Sequence, residues 1–335
     1  MSSVCKLIAF WVLIGGAFGS AVDGAEETAP LDVLVVVGAP GEDEFGEAFA
    51  QWAATWEATC QRADLVMHVI GPTGDDRETS DKDQLKAALS DAASTNSARP
   101  LWLILIGHGT WDGASADFNL VGPDVNAKEI SEWLDPIRRP LVIANCASSS
   151  GPFINRLSGE NRVIVTATKS GSEQNYARFG EHFAAAFSAA DADLDHDDSV
   201  SVREAFLKAT VDVDRFYQEQ GRLATEHALL DDNGDRKGSS LSLVLGKATS
   251  KGDAAVDGEL ASRFSLPVVD SGIQLTERQL KMRDDLESQL RQLRDRFSGS
   301  ERGQLRERAL PLLLKLAGLY TSTEGQRNDH STVAP

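Results

Sequence analysis

A parallel α/β sheet is the fold that this 335-residue sequence predicts, and two observations predict it. Short, unbroken runs of Val, Ile and Leu recur through its first two thirds, as in strands buried on both faces. Amphipathic stretches of helical period separate the runs. Strand–helix alternation of this kind closes into a parallel sheet through right-handed crossovers.

The strand candidates are residues 32–37 (DVLVVV), 64–70 (DLVMHVI), 101–106 (LWLILI), 141–144 (LVIA) and 162–167 (RVIVTA), with residues 241–245 as a sixth. Helices are expected near 44–60, 82–94, 127–134, 152–157, 176–190 and 202–220. Residues 246–275 lose the rhythm and read as a polar linker. From 276 to 320 the pattern is a helical hairpin. Thr276 with Gln279 makes a capping box. Met282, Leu286, Leu290, Leu293 and Phe297 then form one apolar stripe. After a turn at 298–303, Leu305, Ala309, Leu312, Leu316 and Leu319 form a second, with Pro311 a kink. Such stripes need cover, from the α/β domain or from a second copy of the chain. Residues 321–335 read as a disordered tail.

Composition narrows the function. A net charge of −18 argues against nucleic-acid binding, which needs a basic footprint. The first 21 residues read as a secretory signal, with Lys6 ahead of a 13-residue apolar stretch at 7–19. Cleavage is expected after Ala21, with Ala25 the second choice, and the run is short for a membrane span. The expectation is therefore an exported protein, periplasmic or secreted, without stable membrane insertion. Cys60 and Cys146 remain in the mature chain. They fall at opposite edges of the sheet, about 20 Å apart, and a disulfide needs Cα atoms within about 7 Å.

Two strand ends carry chemistry. The third strand runs into Gly107-His108-Gly109-Thr110, and the fourth into Asn145-Cys146-Ala147-Ser148-Ser149-Ser150-Gly151. Ligands of open parallel sheets bind beyond the carboxyl ends of the strands. A Cys and a His meeting there supply a nucleophile and a proton donor for acyl transfer. The N–H groups of Gly109 and Cys146 are candidates for the oxyanion hole. Histidine 108 is the one histidine at a strand end between glycines.

The runs LILIGHGTWDG, LVIANCASSSGPF and VIVTATKSGSEQNYARFGEHF resemble the legumain family of cysteine peptidases, which has a caspase-like fold; the likeness covers about residues 31–240. The resemblance implies a caspase-like α/β/α sandwich over 31–245, a His108–Cys146 catalytic dyad and a peptide or protein substrate. It also implies Glu173 as a wall of the specificity pocket, within Glu173-Gln174-Asn175-Tyr176-Ala177. The family's Cys-x-Ser-Gly is stretched here, because four residues separate Cys146 from Gly151; alignment on Ser150-Gly151 puts Ser148 at the nucleophile's position. Cys146 is the expected nucleophile, since it comes directly off the strand. The family's Arg after the first strand has no counterpart in residues 38–44. An acidic wall without that cation favours a basic or amide side chain in the pocket.

Residues 193–204 match an EF-hand calcium loop: Asp193, Asp195, Asp197, the Ser199 carbonyl, Ser201 and Glu204 fall at positions 1, 3, 5, 7, 9 and 12. Asp198 takes the sixth position, where glycine normally turns the chain. A second cluster, Asp231-Asp232-Asn233-Gly234-Asp235, reads as a turn. Together these features predict an exported, calcium-binding cysteine endopeptidase. The alternative is a catalytically inactive caspase-like scaffold that binds calcium and partners, with self-association through the helical hairpin.

Overall fold

Alternate residues of the first strand, β1 (Val33–Val37), enter opposite cores: Val33, Val35 and Val37 pack in one apolar cluster, Leu34 and Val36 in the other. This is why the run is apolar throughout rather than alternating. The computed structural model describes residues 30–71, 79–95, 97–246, 256–268, 276–296 and 302–328. The expected signal sequence lies outside them.

After β1 come α1 (Asp43–Arg62), β2 (Met67–Ile70), α2 (Asp81–Ser94) and β3 (Leu101–Ile106). A small antiparallel sheet follows, of β4 (Gly109–Trp111), β5 (Ala116–Phe118) and β6 (Val125–Asn126), leading into α3 (Ala127–Leu134). Next are β7 (Leu141–Asn145), α4 (Ile154–Leu157), β8 (Arg162–Thr166) and α5 (Phe179–Ala186). Then come β9 (Ser199–Ser201), α6 (Val202–Glu219), β10 (Leu229–Asp231), α7 (Leu241–Val244) and β11 (Ser265–Pro267). Two long helices, α8 (Glu277–Arg296) and α9 (Arg302–Asn328), end the chain.

The main sheet has the order β10-β8-β7-β3-β1-β2, and every pairing is parallel except β10 with β8. Helices α1, α5 and α6 cover one face, where Trp52, Trp56, Trp102, Phe183 and Phe187 make an aromatic core. Helices α2, α3 and α4 cover the other. The architecture is therefore the three-layer α/β sandwich with a mostly parallel sheet that the sequence predicts. From β1 the chain moves to one side, to β2; from β3 it moves to the other, to β7. The carboxyl ends of β1 and β3 thus open a crevice where the winding reverses, the usual binding site of such sheets.

Several helix starts are fixed by side chains. Ser80 accepts from the Asp83 N–H to cap α2, and capping boxes pair Asn126 with Glu129 at α3 and Ser201 with Glu204 at α6.

Three expectations are corrected, and a fourth falls largely outside the described residues. Residues 241–245 hold the short helix α7, not a strand; the sixth strand is β10, only three residues long and antiparallel. The stretch 246–275 contains β11, which pairs antiparallel with β9, while 247–255 and 269–275 lie outside the described residues. The helix α9 continues through the start of the expected tail to Asn328. The expected turn at 298–303 falls largely outside the described residues; α9 begins at Arg302.

The hairpin itself is present, α8 packing on α9. Leu286 and Leu319 of the expected stripes are buried, whereas Met282 is exposed. Buried Arg283 ties α8 to the β11 segment, donating to Ser265 Oγ and the Arg263 carbonyl, both at 3.3 Å. Cys60 and Cys146 are free thiols. Among the described residues no helix is long and apolar enough to cross a membrane.

Candidate active site

His108 stands at the crevice where the winding reverses. Its Nε2 lies 3.1 Å from the carbonyl of Pro40, just after β1. A carbonyl only accepts, so Nε2 carries the hydrogen and Nδ1 is the basic nitrogen of the neutral ring. Phe45 and Phe49 of α1 pack edge-on against the imidazole, with centroids 4.9 and 5.2 Å away, and Tyr176 closes the third side at 6.1 Å. Burial among these rings lowers the His108 pKa, the Pro40 carbonyl opposing the shift. The ring is thereby held neutral and oriented.

Cys146 is buried in the core beside this crevice, in the cluster that holds Phe49. Its N–H donates to the Leu105 carbonyl at 2.9 Å, continuing the β3–β7 ladder. The expected oxyanion donor at Cys146 is thus already engaged within the sheet. Its side chain is 1% exposed and packs in the α1–α5 core. A Cβ placed on Gly180 of α5 would meet the Cys146 Cβ at 2.6 Å and Trp52 at 2.8 Å, so only glycine lets the helix approach so closely. Burial, reinforced by the charge of Glu226, pushes the Cys146 thiol up to about 12. A thiol so held stays protonated at neutral pH and is a poor nucleophile.

Two residues further on, Ser148 reaches the histidine loop. Gly109 N donates to Ser148 Oγ at 3.2 Å, and Ser148 Oγ donates to the Gly109 carbonyl at 3.1 Å. A Cβ on Gly109 would lie 2.3 Å from the Ser148 carbonyl, so glycine is required for the two loops to touch. The turn carrying Ser148 is strained: Ser149 has φ +55°, held by Glu173 O, which accepts from Ser149 N at 2.8 Å, and by Gly171 O, which accepts from Ser149 Oγ at 3.0 Å. Below it, Ser150 and Thr168 exchange hydrogen bonds, joining the β7 and β8 loops.

Glu173 lies in the next loop, but its carboxylate is turned inward. It accepts from the Lys169 N–H at 2.9 Å and the His227 N–H at 3.2 Å, pairs with His227 Nδ1, and lies 3.5 Å from Lys169 Nζ. These contacts brace the loop and leave the carboxylate 11% exposed.

Sequence reasoning gave no role to Glu226. This buried acid accepts from Arg178 N, Phe179 N and the Tyr217 hydroxyl, and so caps α5 from a distant loop. Burial raises its pKa against those hydrogen bonds. A lone acid beside an apolar run is the only trace it leaves in sequence.

The acidic loop lies at the far end of α5. Asp193, Asp195 and Asp197 each bring an oxygen within 4.8 Å of the others. Asp193 accepts from Asp197 N and Asp198 N, and Asp197 from Ser199 N. Glu204 is buried and accepts from Leu194 N, Ser201 N and Ser201 Oγ. Positions four and six, His196 and Asp198, have φ values of +60° and +64°, so Asp198 makes the turn normally given to glycine.

No protein-family model matches the chain, and no curated protein does. Among solved structures it is similar to the Drosophila initiator caspase Dronc, at 15% identity over 62% of this chain and 81% of that one, with a TM-score of 0.39. It is also similar to drICE (11%, 58% and 87%, 0.35). A third is a secreted C11 cysteine protease from Bacteroides thetaiotaomicron, solved with an irreversible peptide inhibitor (11%, 60% and 66%, 0.36). Likenesses at this level carry no argument; the fold and the site rest on this chain's own sheet and side chains.

Proposed function

We propose that the protein is an exported, caspase-like hydrolase of peptide bonds in which Ser148, rather than Cys146, is the nucleophile and His108 the acid–base. The observation that carries this reading is the contact of Ser148 Oγ with the Gly109 peptide, while the Cys146 thiol is packed in the core. In the reaction, His108 Nδ1 takes the Ser148 proton as Oγ attacks the carbonyl carbon. The Gly109 N–H, released from Oγ, turns to the developing oxyanion. The imidazolium then protonates the departing amine, and water hydrolyses the acyl-serine by the same steps in reverse. Pro40 does the orienting that a carboxylate does in other triads; a neutral carbonyl stabilises imidazolium less well, so slow turnover is expected.

The test is labelling and peptide turnover in three variants, with a fluorophosphonate and a thiol-reactive acyloxymethyl ketone as probes. Ser148→Ala and His108→Ala should lower turnover by about a thousandfold, and Ser148→Ala should also lose the fluorophosphonate. Cys146→Ala should keep turnover within a few-fold. Loss of activity in Cys146→Ala alone, in a folded protein, returns the role to the cysteine.

One observation favours a second reading, a peptide-binding scaffold without catalysis. The Ser148 hydroxyl donates to a backbone carbonyl rather than to an imidazole. In that case neither probe labels the protein and no variant changes a turnover.

Calcium at residues 193–204 belongs to the same proposal. The convergence of Asp193, Asp195 and Asp197, with the Ser199 carbonyl, Ser201 and Glu204 at the remaining positions, supports a hard divalent cation there. The ion would be structural, bracing the α5–α6 connection.

A further inference from the structure

Within α9, residues 309–319 carry no polar side chain except Lys315. A helix that is apolar on every side needs cover on every side. The hairpin supplies part of it: Ala309, Leu312 and Leu316 are half-buried, Leu319 is buried, and α8 packs on α9. A second stripe is left in solvent. Leu310 is 54% exposed, Leu313 48% and Leu314 64%, and Ala317 is exposed as well. Their spacing of three, one and three sets them on one face of the helix, next to the face that holds Ala309, Leu312 and Leu316.

The charge around this stripe is opposite in sign to that of the chain. Residues 302–319 hold Arg302, Arg306, Arg308 and Lys315 against Glu307 alone, on a protein of net charge −18. Arg308 and Lys315 are exposed. Leucines raised from a helix among Lys and Arg suit the boundary between lipid headgroups and acyl chains. There the apolar face sinks about 5–10 Å, and the cations meet anionic headgroups. Charges farther than about 8 Å from the bilayer are largely screened at physiological ionic strength, so the local excess of cations outweighs the net charge of the chain. The same cations disfavour a second copy as the cover, because pairing α9 with α9 sets two segments of positive charge side by side. Among the described residues no helix is long and apolar enough to cross a membrane, so the fitting geometry is a helix lying on the surface.

We propose that the face of α9 carrying Leu310, Leu313 and Leu314 docks on an anionic lipid bilayer, the helix lying in the plane of the interface without crossing it. This holds whether or not the Ser148 site is catalytic.

Vesicle flotation tests it. The mature chain, from Val22, is used, so that the apolar stretch at 7–19 takes no part. It is floated with vesicles of phosphatidylcholine alone and of phosphatidylcholine mixed with phosphatidylglycerol. The chain should float with the mixed vesicles and not with the neutral ones. The double variant Leu313→Glu, Leu314→Glu should weaken binding by at least about tenfold. Both side chains are exposed, so this variant should keep the wild-type circular dichroism and melting temperature. Lys315→Gln should weaken binding about fivefold, the loss of one cation beside a charged surface. Flotation with neither vesicle, equal flotation with both, or equal flotation of wild type and double variant overturns the proposal. Light scattering checks the other occupant: a wild-type dimer that the double variant converts to monomer gives this face to a second copy, and also overturns it.

Discussion

Asp257 illustrates what burial does to a carboxylate held by neutral groups alone. It accepts from Asp232 N, Asn233 N and the Ser239 hydroxyl, and no cation lies among the causes of its shift. Burial, with the charges of Asp232 and Asp231 adding to it, raises its pKa to about 6 despite these hydrogen bonds. An unfolded Asp titrates near 3.9. Between about pH 4 and 6 the folded protein therefore holds a proton that the unfolded chain has released, and stability falls as pH rises through that window, then levels off. Asparagine keeps the oxygen facing the two N–H groups and offers its NH₂ to Ser239. Asp257→Asn should thus gain on the wild type by on the order of 1–3 kcal/mol between pH 4 and 6. Urea titrations of both proteins at pH 4, 5, 6 and 7 measure this, and a constant difference between them removes the claim. The proposed choice of Ser148 over Cys146 also rests on single residues. The strand pattern located the end of β7, but not which later side chain reaches the Gly109 peptide. That depends on the ladder bond from Cys146 N and on the left-handed Ser149, neither of which a residue type announces.

At the scale of elements, the proposed binding of calcium by the acidic loop depends on how the loop is anchored. Its β9 strand pairs with β11, Val268 N donates to the Asp198 carbonyl, and the capping box of Ser201 and Glu204 starts α6. The backbone already follows the turn a cation needs, so binding costs little ordering. Three carboxylates held close repel one another, by on the order of 3 kcal/mol per pair at about 5 Å and an effective dielectric near 20 before screening. A divalent cation reverses that sign and stabilises the native state by mass action. Millimolar calcium should raise the melting temperature by several degrees relative to chelator, and Asp193→Ala should abolish the rise. Equal wild-type melting in the two conditions leaves the loop as an acidic turn only. The convergence of Asp193, Asp195 and Asp197 was legible because acids at alternate positions of a short loop leave a strong imprint. The apolar strands were legible for a similar reason, burial on both faces. The three-residue strands β10 and β11 were not, because Leu229–Asp231 and Ser265–Pro267 are too short to show a period and each carries a polar end or a proline. Their pairing comes from tertiary contacts alone.

Across the whole molecule, the segment around β11 joins parts that the sequence left separate. Asp232 accepts from Gly258 N at 2.9 Å and Ala261 N at 2.8 Å, and Asp257 returns the contact to the 231–235 turn. The same segment then pairs with the acidic loop through β9 and receives Arg283 of α8. A stretch that reads as a linker is therefore a clasp between the edge of the main sheet, the acidic loop and the terminal helices. Two truncations separate these roles. A chain ending at residue 275 loses α8 and α9 but keeps the clasp; its melting temperature should fall little, and the calcium response should remain. A chain ending at residue 246 also loses β11 and Asp257. The N–H groups of Asp232 and Asn233 and both oxygens of Asp232 then lose buried partners, at about 1–3 kcal/mol for each group left unsatisfied. Melting should fall by about 5 °C or more, and calcium affinity by about tenfold, as measured by calorimetry and isothermal titration. If the longer truncation melts and binds calcium like the full chain, residues 256–268 are a passive linker after all. If the shorter one already loses the calcium response, the helical hairpin rather than the clasp supports the loop.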